Sequence, residues 1–281
     1  ESDGGAVPRR RPNLKAMEVR CRGDDRAFVV DTTDTALVLI DMQRDFVDAS
    51  GACGTVCDTT NLLAIVPRLR RVLRAARDAG LLVVHTQYGY RSDLSDLRES
   101  ARLHSRAAGV EYGANGPLGR ILVRGEPGFA IVPELAPADG EVVVTKTSFG
   151  AFSTTDLEHQ LRSRGVTRLL LGGVTTNCCV DSTLREAVDR GFFCCTLADG
   201  TACADAALHE ATLNGILADA HIFGDVAACS DLVQALEARS DQPSAPTTEP
   251  SSVSALPPPR RHHATVVVPS SSFAAAAATA P

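Results

Sequence analysis

Three residues whose side chains could share one reaction follow apolar segments of this sequence. Asp41 ends the run "TALVLID", Lys146 ends "EVVVTK", and Cys179 lies in the turn after "RLLLGGV". A carboxylate can accept the proton of a thiol, and a lysine ammonium stabilises the thiolate that remains. If these side chains meet, we expect a cysteine thiolate that attacks a carbonyl carbon, with Asp41 as the general base and acid.

Two sequence features bear on how a thiolate would form. Cys179 starts the helical segment "CVDSTLREAVDRG", where unpaired amides, the helix dipole and a nearby Lys146 are expected to lower its pKa. The amides of Cys179 and Cys178 could hold an oxyanion. His85, near another strand end, is an alternative base, because Cys-His pairs are common. Each residue also has an ordinary structural interpretation, since buried cysteines pack as small apolar groups.

Apolar runs of strand length alternate with segments of helical period along the chain. The runs cover residues 35–43, 81–87, 141–146, 168–174, 192–199 and 221–227. Strands buried on both faces and separated by helices predict an α/β fold with a three-layer, doubly wound, mostly parallel sheet. Ligands bind at the carboxyl ends of the strands in such a sheet, which is where the three candidate residues lie.

The composition predicts one folded domain between two irregular segments. We expect a loosely ordered leader over residues 1–27, a catalytic domain over 28–239 and a disordered Pro/Ser/Ala-rich tail over 240–281. The sequence begins with Glu1, so a targeting segment cannot be judged from it. The Gly/Pro-rich connection between residues 88 and 140 is long, and such loops commonly line a site.

Charge and cysteine usage exclude several classes of protein. The net charge is -6, and the basic residues look scattered, so we expect no nucleic-acid partner. The longest apolar runs fall short of the roughly 20 residues of a membrane span. The nine cysteines include two vicinal pairs, which favours a reduced, cytoplasmic protein. Cys53 and Cys57 lack a second pair at ligand spacing, so we expect no metal and no cofactor.

Three segments resemble the signature motifs of the isochorismatase-like cysteine hydrolases. They are "ALVLIDMQRDFV", "VVTKTSFGAF" and "GGVTTNCCVDSTLREAVDRGF", in the family's order. The resemblance implies a Rossmann-like hydrolase of C–N bonds in linear amides, with Asp41, Lys146 and Cys179 as its catalytic triad. It also implies a non-proline cis peptide between Val174 and Thr175, in the turn that includes Cys178 and would hold the oxyanion. Dimers or tetramers are common in the family.

The loop segments resemble the branch of biuret and other ureido-amide hydrolases. We therefore expect a small ureido or carbamoyl amide as substrate and partner, hydrolysed through a covalent acyl-enzyme. The candidate substrate-binding residues are Arg124, Phe46, Phe149, Phe152 and Asn177. The family's metal-dependent nicotinamidases carry an Asp and His cluster that "HTQYGYRSD" lacks. Asp219 lies nearest to the place where biuret-hydrolysing relatives carry a glutamine.

Other functions remain open at this point. The substrate could instead be ureidoacrylate, an N-carbamoyl amino acid or isochorismate. A redox protein could use Cys178 with Cys179, or Cys53 with Cys57. A non-catalytic binding protein of the same fold is the third alternative.

Overall fold

The apolar segments of the sequence form the centre of the fold. The computed structural model describes residues 16–23 and 25–240, except the side chains of residues 239 and 240. In chain order the strands are β1 (Ala16–Arg20), β2 (Ala27–Asp31), β3 (Thr35–Ile40), β4 (Leu82–Tyr88), β5 (Asn115–Gly116), β6 (Gly119–Arg120), β7 (Val142–Lys146), β8 (Arg168–Val174), β9 (Phe193–Ala202) and β10 (Asp225–Ala227). The helices are α1 (Arg44–Val47), α2 (Thr60–Ala64), α3 (Val66–Asp78), α4 (Glu99–Ala107), α5 (Leu157–Arg162), α6 (Asp181–Asp189), α7 (Ala206–His221) and α8 (Cys229–Ser240).

Six of the strands make one parallel sheet. Their order is β10-β9-β8-β3-β4-β7, and every neighbouring pair is parallel. All six residues of the central strand β3 are buried, as expected for a strand with helices on both sides. The predicted α/β fold class is confirmed. Only β4 lies between β3, which Asp41 follows, and β7, which ends with Lys146.

Alternate residues of β3 contribute to two different cores. Leu37 and Leu39 pack with residues of α3 and α8 on one face. Val38 and Ile40 pack with residues of α5, α6 and α7 on the other face. Burying each of these side chains stabilises the fold by about 1.5–3 kcal/mol. The carboxyl end of β3 is therefore held rigidly from both sides.

Part of the predicted leader belongs to the folded unit. β1 pairs antiparallel with β2, Val19 is fully buried, and the amide of Arg22 donates to the carbonyl of Val226 at 2.7 Å. Alternating apolar residues at 17, 19 and 21 explain the strand, so the prediction of a loose leader is wrong for residues 16–23 and 25–27. Residues 1–15 and the predicted tail beyond residue 240 lie outside the described residues.

The last predicted strand is shorter than expected. Residues 221–227 were expected to be extended, but α7 runs to His221 and only Asp225–Ala227 form a strand. Asp219 and Ala220 have positive φ angles of 50° and 58°, so regular helix ends before them. Within the described part of the chain, none of the helices has the length and apolar character needed to cross a bilayer.

Candidate active site

Asp41 is positioned by the pairing of β3 with β4. It follows β3 directly with a φ of 51°, a backbone conformation that surrounding structure must stabilise. Its amide donates to the carbonyl of Thr86 at 3.2 Å, and the hydroxyl of Thr86 donates to Asp41 Oδ1 at 2.5 Å. The register of the sheet places Ile40 opposite Thr86. Asp41 is thus fixed by both its backbone and its carboxylate.

Lys146, at the end of β7, reaches over β4 to Asp41. Lys146 Nζ lies 2.6 Å from Asp41 Oδ2, and both side chains are completely buried. Lys146 Nζ also donates to the carbonyls of Ser148 at 3.0 Å and Phe149 at 2.9 Å. Burial lowers the pKa of Lys146, but Asp41 and Cys179 outweigh it and raise the pKa above its usual value. Lys146 is therefore a charged ammonium with fixed orientation at neutral pH.

The candidate nucleophile lies in a wide turn after β8. The peptide bond between Val174 and Thr175 is cis, and Thr176–Val180 form a π-helical turn that continues directly into α6. Cys179 is only 6% exposed, and its carbonyl accepts a hydrogen bond from the hydroxyl of Thr183 at 2.7 Å. The sequence had predicted that Cys179 starts a regular helix. Cys179 instead lies in the turn that precedes α6.

The two adjacent thiols differ in how readily they ionise. The hydrogen bond with Cys178 and burial raise the pKa of Cys179 well above its usual range, although Lys146 acts in the opposite direction. The same hydrogen bond lowers the pKa of Cys178. The predicted net lowering at Cys179 is therefore wrong, because the neighbouring thiol and burial outweigh the lysine. Cys179 and Lys146 interact electrostatically, because Cys179 raises the pKa of Lys146, and the raised pKa of Cys179 favours the protonated thiol at rest.

A group of aromatic rings lies beside this thiol. The ring of Tyr88 lies 4.7 Å from Lys146 Nζ. The rings whose centroids lie 5.6–6.5 Å from that of Tyr88 belong to Tyr90, Tyr112, Phe149 and Phe46. Burial raises the pKa of Tyr88 and of Tyr112, and a charge on Cys179 raises both further. The rings thus form one cluster next to Lys146 and Cys179, which we call the aromatic wall.

The family can be identified from the extent of its match to this chain. The family model described as Isochorismatase domain matches residues 35–229, which include Asp41, Lys146 and Cys179. This chain belongs to the isochorismatase family. The resemblance indicated by the three sequence motifs is therefore confirmed.

Relatives of this isochorismatase-family chain cover most of its length. A ureidoacrylate amidohydrolase of Methylorubrum extorquens is 32% identical over 234 residues, which are 80% of this chain and 92% of the relative. One from Variovorax paradoxus is 30% identical over 207 residues, or 72% of this chain and 81% of the relative. The activity in both names agrees with the predicted hydrolase of linear C–N bonds.

Solved structures of the isochorismatase family share the fold. A cysteine hydrolase from Pseudomonas syringae pv. phaseolicola superposes with a TM-score of 0.63 at 26% identity, and covers 74% of this chain and 95% of its own. An isochorismatase family protein from Desulfovibrio vulgaris gives a TM-score of 0.61 at 31% identity, and covers 73% of this chain and 99% of its own.

The predicted aromatic and amide residues fall in different environments of this isochorismatase-family fold. Phe46 and Phe149 belong to the aromatic wall. Phe152 does not, because it is 5% exposed and packs in the core against Phe192, at 5.7 Å between ring centroids. Asn177 is exposed and makes no side-chain hydrogen bond within the described residues. Neither observation tests a contact with substrate, so the predicted substrate contacts of Phe152 and Asn177 stay predictions.

Arg124 lies in the long connection, beside the strand end that bears the aromatic wall. Its Nη2 donates to Asp96 Oδ2 at 3.0 Å and to the carbonyl of Gly89 at 3.5 Å. Its Nε is buried and has no hydrogen-bond partner within the described residues. Arg124 therefore keeps one donor available, and its predicted contact with substrate remains a prediction.

The predicted oxyanion turn has one amide already engaged. The amide of Cys178 donates to the carbonyl of Thr175 at 3.0 Å. The resting turn therefore does not offer that amide to an oxyanion, and the prediction fails for Cys178 in this state. Of the two amides predicted for the role, only that of Cys179 remains a candidate.

Asp219 and His85 lie away from the candidate site. Asp219 is exposed near the end of α7, just before β10, and therefore at the amino-terminal edge of the sheet. The site lies at the opposite edge, so Asp219 cannot replace a glutamine that reads the substrate. His85 precedes Thr86 on β4 and points to the other face, where its Nε2 lies 2.9 Å from Glu141 Oε2. His85 therefore cannot act as the base for Cys179.

Two residues of the motif "DMQRDF" hold the long connection, a role that the sequence reasoning missed. Gln43 Nε2 donates to the carbonyls of Tyr88 and Phe129, both at 3.0 Å, and Gln43 Oε1 accepts from the amide of Tyr88 at 2.6 Å. Asp45 Oδ2 accepts from the amide of Leu122 at 2.9 Å. Both side chains are buried. The sequence feature that could have revealed this role is the presence of two polar residues shortly after a buried strand.

The second predicted cysteine pair has little thiolate character. Burial raises the pKa of Cys53 to about 12, and burial and Asp58 raise that of Cys57. Thiols that stay protonated react slowly with disulfides and oxidants. Among the residues that the structure describes, no group of three or more His, Cys, Asp and Glu side chains is arranged to hold a metal ion.

Proposed function

We propose that this isochorismatase-family protein is a cysteine-dependent amidohydrolase that cleaves the C–N bond of a small ureido or carbamoyl amide. The observation that carries the proposal is the 2.6 Å contact between Lys146 Nζ and Asp41 Oδ2, both completely buried, close enough to Cys179 that this thiol raises the pKa of Lys146. A buried pair of this kind is costly unless the geometry is favourable. Its position next to Cys179 supports a catalytic role.

In the first half of the reaction, Asp41 takes the proton of Cys179. The resting thiol is protonated because its pKa is raised, and the Asp41 carboxylate, which is held by Thr86 and Lys146, still has lone pairs that can accept this proton. The thiolate formed beside Lys146 attacks the substrate carbonyl. The Cys179 amide stabilises the tetrahedral oxyanion. Collapse breaks the C–N bond, and Asp41 returns its proton to the departing amine or ammonia.

In the second half, water releases the acyl group. The enzyme now carries a thioester or thiocarbamate on Cys179. Asp41 accepts a proton from water, and the resulting hydroxide attacks the acyl carbon. The C–S bond breaks, and the proton on Asp41 returns to the Cys179 sulfur. Lys146 keeps its proton throughout, because two of its donors are bound to backbone carbonyls and its pKa is raised.

The surroundings of the thiol favour a planar ureido compound. The aromatic wall offers flat apolar surface on which a conjugated ureido group can stack. Arg124, whose buried Nε has no partner among the described residues, is the candidate donor for a carboxylate or carbonyl oxygen if the substrate displaces the groups that cover it. Ureidoacrylate has a conjugated ureido group and a carboxylate, whereas biuret has no carboxylate. The names of the relatives support the same order, with ureidoacrylate ahead of biuret.

The deciding experiment measures ammonia release from a panel of amides. The panel contains ureidoacrylate, biuret, triuret, an N-carbamoyl amino acid and nicotinamide. We expect release from a ureido compound, with a loss of at least about 10³-fold in kcat for Cys179→Ala. Cys178→Ala is the matched control, because it removes the neighbouring thiol and leaves Cys179 beside Lys146. It should retain most of the activity.

The alternatives give different results in the same experiment. Ammonia release from none of the amides would favour a hydrolase of a substrate without an amide, such as isochorismate, or, if isochorismate is not hydrolysed either, a non-catalytic binding protein. Loss of two titratable thiols after mild oxidant, without hydrolysis, would favour a redox protein. Full activity of Cys179→Ala would exclude Cys179 as the nucleophile. Intact-mass detection of an acyl adduct that is absent from Cys179→Ala would support the covalent mechanism directly.

A further inference from the structure

Helix α3 carries positive charge that the proposed hydrolase site does not use. Its sequence VPRLRRVLRAARD contains five arginines and a single acid, Asp78. The whole chain has a net charge of -6, so this helix has the opposite sign to the protein as a whole. The sequence-based expectation that basic residues are scattered is wrong for α3.

Three of these arginines have no partner among the residues that the structure describes. Arg77 pairs with Glu141 at 2.8 Å, and Arg68 lies 3.5 Å from Asp199. Arg70, Arg71 and Arg74 make no hydrogen bond or ion pair with any described residue. Among the other arginines whose side chains the structure describes, Arg20 alone shares this condition. Unneutralised guanidinium groups are thus concentrated on one helix.

The spacing of these arginines places like charges next to each other. Residues three or four apart lie side by side on a helix surface, and like charges at these spacings disfavour the helix. Arg74 is four residues from Arg70 and three from both Arg71 and Arg77. A bound anion would remove this repulsion, whereas water and dilute salt only screen it.

The arginines line a groove that also has apolar surface. Its volume is about 730 Å³, and Arg70, Arg71, Arg74 and Arg77 contribute to its lining. Leu63 and Pro67 also line it, as do the carboxylates Asp78 and Glu134, and Leu63 is 47% exposed. Small-molecule sites typically have volumes of about 300–1,000 Å³. The groove is therefore large enough for a compact organic ligand, and its lining combines apolar and cationic side chains.

We propose that this groove binds a small organic diphosphate. Arg70 and Arg74 are one helical turn apart, about 6 Å along the axis, and their planar forks match phosphate oxygens in pairs. A diphosphate ester carries about three negative charges near neutral pH, and the arginines of this lining outnumber its two carboxylates, Asp78 and Glu134, so the guanidinium groups attract it. Its organic part lies against Leu63 and Pro67. The ligand class is thus an apolar or aromatic group joined to two phosphates, such as a nucleoside diphosphate.

The test is titration calorimetry of the full chain at low salt with four probes. They are ADP, inorganic pyrophosphate, adenosine and citrate. ADP should bind saturably with a Kd below about 1 mM and more tightly than pyrophosphate, because only ADP has an aromatic group. Adenosine should not bind, and added salt should weaken ADP binding. A Kd for citrate equal to that for ADP would overturn the assignment to phosphate.

The variants separate a specific groove from general surface charge. The double variant Arg70→Gln/Arg74→Gln should weaken ADP binding by at least about tenfold, with an unchanged melting temperature without ligand to show that it folds. Arg20→Gln is the matched control, because Arg20 is also unpartnered but does not line this groove. Equal affinity of the double variant and the wild type, or no saturable ADP binding, would overturn the proposal. Ligand binding here is independent of amide hydrolysis, so each proposal can fail alone.

Discussion

The hydroxyl of Thr86 donates to Asp41 Oδ1 at 2.5 Å, and the parallel pairing of β3 with β4 sets this contact, since Ile40 and Thr86 are partners in the register. Oδ2 of the same carboxylate lies 2.6 Å from Lys146 Nζ. Thr86 therefore fixes the rotation of the carboxylate that must exchange a proton with Cys179.

Replacing Thr86 by valine should lower kcat more than it changes KM. The variant keeps the shape of the side chain but leaves Asp41 Oδ1 buried without its donor, which costs about 1–3 kcal/mol of stability. Displacement of a catalytic group by about 1 Å reduces turnover on the order of 100-fold. Thr86→Ser keeps the hydroxyl and should retain activity. The measurement is steady-state kinetics of both variants on the preferred amide. Equal kcat values for Thr86→Val and Thr86→Ser would contradict this role of Thr86.

The strands and the meeting of three residues could be predicted for the same physical reason. Strands buried on both faces have continuous apolar sequences, and the carboxyl ends of parallel strands meet at one edge. Asp41, Lys146 and the Cys179 turn each follow such a strand, so the sequence alone brought them together.

The surroundings of these residues could not be predicted, because they depend on tertiary packing of loops. Phe149 and Phe152 are three residues apart in one loop, yet Phe149 is 48% exposed in the aromatic wall and Phe152 is 5% exposed in the core. No periodicity distinguishes them. Tyr112 reaches Tyr88 only through the long connection, whose path depends on contacts distant in sequence.

Removing Lys146 should destabilise the fold as well as abolish turnover. Lys146→Met leaves the buried carboxylate of Asp41 without its counter-charge, and breaking a buried pair in this way costs about 3–5 kcal/mol. The double variant Asp41→Asn/Lys146→Met has no buried charge at this position, so it should be more stable than Lys146→Met alone. Urea unfolding of the two single variants and the double variant measures this coupling. If the loss of unfolding free energy in the double variant equalled the sum of the losses in the two single variants, the two side chains would not be coupled and the prediction would be wrong.

Acid should destabilise the protein through His85 and Glu141. Burial lowers the pKa of His85 from 6.5, so its contribution to stability is present above pH 6.5 and is lost as the pH falls. Burial alone would raise the pKa of Glu141, but hydrogen bonds from Arg77, the amide of Ala138 and His85 bring it to about 2. Its contribution is present above its ordinary pKa of 4.5 and is lost as the pH falls towards 2.

The test is the free energy of unfolding measured from pH 7 to pH 2. Glu141→Gln should be less stable than the wild type at pH 7 by roughly 2 kcal/mol, and this difference should shrink between pH 4.5 and pH 2. Glu99→Gln is the control, because Glu99 forms an exposed ion pair with Arg102 that contributes little. A difference between Glu141→Gln and wild type that is the same at both ends of the range would contradict this assignment.

Two glycine-to-alanine changes should have opposite effects on stability. A Cβ at Gly128 would overlap the carboxylate of Asp45, whereas one at Gly215 meets no atom within 4 Å. Gly128→Ala should therefore displace either Asp45 or the segment Pro127–Phe129, and cost about 1–3 kcal/mol. Gly215 lies inside α7, so alanine there should stabilise the helix by up to about 1 kcal/mol.

The activity of the two glycine variants distinguishes a local clash from a change at the site. The carbonyl of Phe129 accepts hydrogen bonds from Gln43 at 3.0 Å and from Gln87 at 3.1 Å, and Gln43 also holds Tyr88 of the aromatic wall. Gly128→Ala should thus raise KM for the amide substrate, and Gly215→Ala should leave kinetics unchanged while raising the melting temperature. If Gly128→Ala were destabilised but its KM were unchanged, the segment Pro127–Phe129 would contribute to stability and not to substrate binding.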